Sequence, residues 1–282
     1  MNPRASRVHD ALVDAVAAAL GGAIVVRTEG PGHATELARE AQAWADAIYV
    51  FSGDGGFNEA LNGIDGSVPI GFVPGGGTNV LSRALGLPRN PLAAAQRLAV
   101  ATPRRIALGR ANGRRFAFSA GIGFDAEAVR RLDARGRRSD GKRPGDVFFA
   151  WTMARLLAEQ TYARPLIEVA GEQACFALVG NLAPYSYAGR VPLRVHPLAR
   201  PEAGLDLVAP RRFRLRSAPR LAAYLLRGRG QEHAADLLHL HDCDRIEVRC
   251  LRPLPLQLDG EDVGDVESVL LEAERDAVTV LA

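Results

Sequence analysis

Along the first hundred residues the apolar positions change period repeatedly. Val8, Leu12, Val16 and Leu20 recur at helical spacing, and Ala23 to Val26 is a short apolar run that predicts a buried strand. An Ala/Glu-rich helix is predicted from Ala34 to Ala47, followed by an apolar strand from Ile48 to Phe51. A glycine-rich loop, a helix around Asn58 to Leu61 and a strand from Pro69 to Val73 come next. A second glycine loop, Pro74 to Thr78, leads into a helix that stops at Gly86-Leu87-Pro88. Strands alternating with helices predict βαβ units and a parallel sheet. In such sheets ligands bind beyond the carboxyl ends of the strands, and both glycine loops fall there.

From about Arg104 the pattern becomes strand-rich. Apolar runs at Ile106–Leu108, Phe116–Ser119, Leu166–Val169, Cys175–Val179, Leu205–Ala209, Ile246–Cys250 and Leu254–Leu258 predict strands, while Asp125–Leu132, Val147–Glu159 and Ala218–Leu226 predict helices. The expectation is an α/β domain over 1–105, with a tail at about 273–282 packing back on it. A β-rich domain, a sandwich, is expected over 106–272.

Composition narrows the chemistry. Apolar residues are 48% of 282, which argues against wholesale disorder. The net charge of +3 does not argue for nucleic acid as a partner. Arginine accounts for 34 of the 35 basic residues, and the one lysine, Lys142, lies in the loop-like Ser-Asp-Gly-Lys-Arg-Pro-Gly. A Walker lysine, a Schiff-base lysine or a kinase-type strand lysine is therefore not expected. Cys175, Cys243 and Cys250 show no C-x-x-C spacing and read as reduced thiols of a cytoplasmic protein. No secretory signal is read at the N-terminus, and the longest nearly uncharged run is too short to span a bilayer.

Two loops carry the candidate chemistry. The first, Ser52-Gly53-Asp54-Gly55-Gly56-Phe57-Asn58-Glu59-Ala60-Leu61-Asn62-Gly63, follows a strand and opens a helix, an arrangement that offers free N–H groups to phosphate. Asp54 sets a carboxylate beside them, which suits a bridging cation or a proton to be removed, or else simply caps a tight turn. The second, Pro74-Gly75-Gly76-Gly77-Thr78-Asn79-Val80-Leu81-Ser82-Arg83-Ala84-Leu85-Gly86-Leu87-Pro88, repeats the arrangement one strand later. Near the other end, Asp259-Gly260-Glu261 reads on its own as a hairpin turn.

Taken together, these segments resemble the diacylglycerol kinase catalytic-domain family, which includes bacterial soluble lipid kinases and the sphingosine and ceramide kinases. The family loop G-G-D-G-T-x-N-E-V-x-N-G is similar to Ser52–Gly63, and P-x-G-T-x-N-D-F-A-R-x-L-G-I-P is similar to Pro74–Pro88. Asn2-Pro3, Thr28 ahead of Pro31-Gly32, Gly121-Ile122-Gly123-Phe124-Asp125-Ala126, Asn181–Gly189 and Asp259-Gly260-Glu261 follow in the family's order. The family's first strand has no counterpart ahead of Asn2, so a start downstream of the usual one is expected. Gly56 and Gly77 stand where the motif carries threonine, and Val80 where it carries aspartate.

The resemblance implies a kinase that uses ATP and Mg²⁺ to phosphorylate a lipid hydroxyl, diacylglycerol by default, at the cytoplasmic face of a membrane. ATP contacts carry over to Asn2, Thr28, Gly53, Asp54, Gly55, Gly56, Asn58, Glu59, Gly75, Gly76 and Gly77. Asp54 and Glu261 carry over as catalytic, with Asp54 and Asp125 toward the metal and Asp125 and Arg83 supporting metal or acceptor. A homodimer is a further expectation. The alternatives are an NAD kinase-like enzyme, whose family shares a G-G-D-G-T loop, and a non-catalytic lipid- or nucleotide-binding protein of the same fold.

Three other features read as structural. Arg130–Arg143 holds seven basic and two acidic residues, a solvated loop or an attraction to anionic lipid, with Phe148, Phe149 and Trp151 following. Arg211, Arg212, Arg214 and Arg216 alternate like a solvated strand edge. His239, His241 and Cys243 alternate too, but no second cluster completes a zinc site.

Overall fold

Each short parallel strand in the first hundred residues runs into a helix, as the change of period requires. In a computed structural model describing residues 1–3, 5–136 and 146–282, the chain divides into two compact units. One comprises Met1–Leu108 with Arg275–Ala282, the other Gly109–Glu274.

The first unit runs α1 (Asp10–Ala19), α2 (His33–Ala41), β1 (Ile48–Ser52), α3 (Asp54–Gly63), β2 (Ile70–Pro74), α4 (Val80–Ala84) and α5 (Pro91–Leu98). β1 and β2 pair in parallel, Ile48 beside Ile70 and Ser52 beside Pro74. Every residue of β2 is buried, as a parallel strand covered on both faces should be. Its alternation divides the work. Val73 joins Val13 and Val16 of α1, Phe51 of β1 and Leu98 of α5 in one apolar cluster. Phe72, its neighbour on the strand, meets Phe57 of α3 edge to face with ring centres 5.1 Å apart.

The second unit is reached through β3 (Pro103–Ala111), which crosses the boundary. It contains β4 (Arg114–Phe116), β5 (Ser119–Ile122), α6 (Phe124–Ala134), α7 (Asp146–Glu159), β6 (Ile167–Val169), β7 (Glu172–Ala174), β8 (Ala177–Gly180), β9 (Ser186–Ala188) and β10 (Val191–Leu193). It continues through β11 (Leu205–Pro210), α8 (Ala218–Arg227), β12 (Leu237–Cys243) and β13 (Arg245–Leu258) into β14 (Glu261–Leu281). β13, β5, β8, β11 and β12 lie side by side, each pair antiparallel. β13 pairs with β6 through Val248–Cys250 and with β5 through Leu256–Leu258, and its register shifts between Arg249 and Leu254. With β14 paired along its other edge, where that register shift falls, one long strand thereby serves three partners, as sandwich-like β folds require. β14 starts in this unit and ends in the first, where Val280 pairs in parallel with Ile70.

Several expectations need correction. Ala23 to Val26 form no strand, and Ile24 is 77% exposed. The backbone there bonds to the chain start, with the Met1 amino group on the Val26 carbonyl and Thr28 N–H on the Met1 carbonyl, instead of entering a ladder. The helix expected to reach Ala47 ends at Ala41. Ile246–Cys250 and Leu254–Leu258 are two parts of β13, and the 21-residue β14, rich in acidic residues, is a strand that the apolar pattern does not predict. Arg212, Arg214 and Arg216 follow the end of β11 and occupy a loop and a 3-10 turn, so the alternation there is not that of a strand.

Within the basic stretch, Arg130 and Arg131 are already paired, the first with Asp262 and Asp265, the second with Glu127 and Glu159. Arg137, Arg138 and Lys142 lie outside the described residues. Phe149 packs on the core, while Trp151 is half exposed with Arg155 over its ring.

Candidate functional site

The two glycine loops of the first unit meet backbone to backbone. A Cβ on Gly76 would fall 2.7 Å from the Gly53 Cα, so no larger residue fits that crossing without displacing a loop. Gly75 N–H donates to the Ser52 carbonyl at 2.6 Å, closing the loops at their strand ends. Asn79, in the left-handed region at φ 51°, accepts from Gly76 N–H and donates to the Gly76 carbonyl, both at 2.8 Å.

Asp54, the first residue of α3, reaches across to α4. Its two oxygens accept the N–H groups of Val80 at 3.0 Å and Leu81 at 3.1 Å, so it caps one helix while starting another. Gly77 is exposed, and a Cβ there would meet nothing within 4 Å, so space for a ligand lies against that turn. The threonine missing at Gly56 has a local explanation. A Cβ at Gly56 would fall 2.2 Å from Ser52 Oγ, so the hydroxyl sits on the strand end instead of the helix start.

Of the other expected nucleotide contacts, Asn2 donates through its N–H to the Phe51 carbonyl, and Thr28 N–H bonds to Met1, placing both beside the end of β1. Glu59 takes part in helix packing, its carbonyl accepting from Thr35 Oγ1 at 2.8 Å. Asn58 is 2% exposed and its carboxamide oxygen accepts from Asn62. Arg83 donates to the Thr78 carbonyl within its own loop.

The second unit holds the remaining residues. Asp259 and Gly260 form the two-residue turn between β13 and β14, with φ of 50° and 81°, the left-handed pair that tight hairpins need. The Asp259 carboxylate turns inward, 4% exposed, and accepts N–H groups from Ala117 at 2.7 Å, Phe118 at 2.9 Å and Ser119 at 3.1 Å. Asn181 holds the same segment by donating to the Ala117 carbonyl at 2.9 Å. Glu261, next along β14, keeps a side chain 35% exposed, with Arg114 at 3.6 Å. One residue apart, Asp259 is built into the fold and Glu261 stays accessible.

Asp125, in the first turn of α6, is buried. Its Oδ2 accepts from the Tyr185 hydroxyl at 2.5 Å and from Gln257 Nε2 at 3.1 Å, and its Oδ1 has no hydrogen-bond partner among the described residues. Gln257 also accepts the Gly260 N–H at 2.8 Å, linking this carboxylate to the Asp-Gly-Glu turn. A Cβ at Gly121 would lie 2.0 Å from Asp125 Oδ1, which explains the glycine there. Tyr185 and Gln257 were not among the expected site residues. Tyr185 belongs to the Asn181–Gly189 motif, and Gln257 is the polar residue in the otherwise apolar stretch Leu254–Leu258, a signal the sequence carries.

Burial pushes the Asp125 carboxyl up from 3.8 to about 6, against the bonds from Tyr185 and Gln257, which favour its charged form. Burial also raises Tyr185 well above the ordinary phenol value, so it remains a donor. An acid whose folded pKa is raised contributes stability that is complete below its unfolded pKa and disappears as pH climbs through the folded one. Between about pH 4 and pH 7 wild type should therefore lose about 3 kcal/mol relative to Asp125→Asn, from roughly two pKa units at 1.36 kcal/mol each. Urea unfolding of both proteins at the two pH values measures this. A difference that stays flat across the window would contradict it.

The alternating His239, His241 and Cys243 lie on β12, where His241 Nδ1 sits 2.7 Å from Asp206 Oδ1. Among the described residues no group of three or more His, Cys, Asp or Glu side chains gathers to hold a metal ion.

Comparison with known proteins agrees with the loops. Residues 1–111 match the family model described as diacylglycerol kinase catalytic domain. A diacylglycerol kinase of Bacillus subtilis (strain 168) is 40% identical over 97 residues, 33% of this chain and 32% of that protein. A Streptococcus pneumoniae serotype 4 protein named "Putative lipid kinase" is 32% identical over 118 residues, 40% of each. These alignments span about a third to two-fifths of the curated relatives. A solved structure, "A putative diacylglycerol kinase from Bacillus anthracis str. Sterne", superposes with a TM-score of 0.74, covering 99% of this chain and 94% of that one at 22% identity. At that identity the likeness establishes the fold, a two-domain α/β and β-rich architecture. The resemblance read from the motifs holds.

Proposed function

We propose that the protein is an ATP-dependent lipid kinase that transfers the γ-phosphate to a lipid hydroxyl, with diacylglycerol as the default acceptor. The observation that supports this most strongly is the crossing of Gly53 and Gly76 beside Asp54, two glycine loops at the ends of adjacent parallel strands. The start of α3 and the open turn at Gly77 suit a triphosphate, which helix N-termini and exposed backbone N–H groups attract. Asp54 suits Mg²⁺, a hard cation bound by few carboxylates together with substrate phosphates. Bound with ATP, Mg²⁺ supplies the charge neutralisation that other kinases share between metal and lysine.

This chain's own residues do the rest. Glu261 accepts the proton of the lipid hydroxyl as its oxygen bonds to phosphorus and the bond to ADP breaks. Asp125, held by Tyr185 and Gln257, supports the acceptor or the metal. The enzyme works at the cytoplasmic face of a membrane because its acceptor is a lipid. No helix among the described residues is long and apolar enough to cross one.

The test is transfer of labelled γ-phosphate from ATP, with Mg²⁺, to a total lipid extract, with NAD offered in a parallel reaction. Label in a lipid product is the expected result, and its mobility names the acceptor class. Label in NAD alone, or lipid binding without turnover at any Mg²⁺ concentration, overturns the reading.

A further inference from the structure

The stretch from Arg211 to Gln231 contains seven arginines and no acidic residue. α8 lies in its middle, opened by Pro219 in its first turn and closed by Gly228 in the left-handed region, where a Cβ would strike Arg194. One face of α8 is committed inward. Leu221, Tyr224 and Leu225 pack on Tyr185, Val195, Val208 and Leu237.

The other face is exposed yet apolar. Leu215, Pro219, Ala222 and Leu226 follow each other at steps of four, three and four, and Leu215 and Leu226 are 58% and 52% exposed. Leu215 lies in the 3-10 turn that leads into α8, and Pro219, Ala222 and Leu226 line one side of α8 itself. Arginines flank this stripe on both sides in sequence. Arg211 is paired with Glu172 and Arg220 with Asp236, but Arg212, Arg214, Arg216, Arg227 and Arg229 are exposed and have no carboxylate partner among the described residues. Exposed arginine is well hydrated in water, whereas exposed leucine gains by leaving it. Both halves are satisfied together where anionic headgroups overlie hydrocarbon.

We propose that this surface, the stripe of α8 and its arginine border, lies on an anionic lipid bilayer. Charge complementarity identifies the partner, and the leucines between the arginines favour a bilayer over a nucleic acid, which would call for aromatic or hydrogen-bonding groups there. The inference rests on the lipid-kinase reading and deepens it. The inward face of α8 packs into the cluster that contains Tyr185, whose hydroxyl holds Asp125, the residue proposed to support the acceptor or the metal.

Vesicle sedimentation without ATP tests it, using phosphatidylglycerol-containing and pure phosphatidylcholine vesicles at low salt. Wild type should bind the anionic vesicles and not the neutral ones. Replacing Arg214, Arg216 and Arg227 with Gln should weaken binding about a hundredfold, from the usual contribution per basic side chain. Leu215→Glu with Leu226→Glu should weaken it as well, with unchanged circular dichroism and melting temperature because both side chains are exposed. Phosphorylation of a dispersed short-chain diacylglycerol should be the same in all three proteins. Equal vesicle binding by all three overturns the proposal, as does an arginine-dependent preference for RNA or duplex DNA over the vesicles. Vesicle binding that follows the prediction while no lipid is phosphorylated would remove the kinase reading and leave the surface in place.

Discussion

Replacing Asp259 with alanine should destabilise the second unit by about 3–5 kcal/mol, a figure typical of breaking a buried charged network. The carboxylate accepts three buried backbone N–H groups, those of Ala117, Phe118 and Ser119. Bonds to a charged acceptor contribute about 1.5–3 kcal/mol each, and removal leaves the donors unsatisfied. Alanine also tolerates φ 50° less well than aspartate, which populates the left-handed region more readily. Thermal unfolding should show a fall of about 10 °C or more, given the usual conversion for a unit of this size. A shift of only a few degrees would show that Asp259 is not the anchor of residues 117–119. Asp259→Asn, which keeps one acceptor oxygen, should fall between the two.

Glu261→Gln should do the opposite. Its side chain is 35% exposed and lies 3.6 Å from a similarly exposed Arg114, a geometry worth little to stability. Melting temperature should therefore remain near that of wild type. If Glu261 is the base of the proposed transfer, lipid phosphorylation should drop by about 10² to 10⁴, the usual range for general-base catalysis. ATP binding, measured separately by calorimetry, should persist because the glycine loops are untouched. Retention of more than about a tenth of the wild-type rate would remove Glu261 from that role. Read side by side, the two variants separate fold from chemistry within a single Asp-Gly-Glu turn.

The architecture of the first unit was legible because local physics and tertiary structure agree there. Apolar runs such as Ile48–Phe51, partly buried, and Ile70–Val73, fully buried, are short and lead into glycine-rich turns, and parallel strands under helices need that pattern. Where the two levels diverge, the reading failed. Ile24, Val25 and Val26 have strand composition, but composition does not supply a ladder partner. β14 has the reverse problem. Its acidic residues depress strand propensity, while pairing with β13 from Arg245 to Leu258 holds it extended.

The same division runs through the candidate site. Residue types and their order by themselves determined that glycine-rich turns follow apolar strands and that an Asp-Gly-Glu turn lies near the end. Only the tertiary structure decided what each carboxylate does. Asp54 caps α4, Asp259 gathers three N–H groups, Asp125 is buried under Tyr185 and Gln257, and Glu261 stays accessible. A carboxylate's role depends on its desolvation and on the donors around it, and those donors come from segments up to 142 residues away in sequence. No local pattern encodes that distance, so it exists only once the chain has folded.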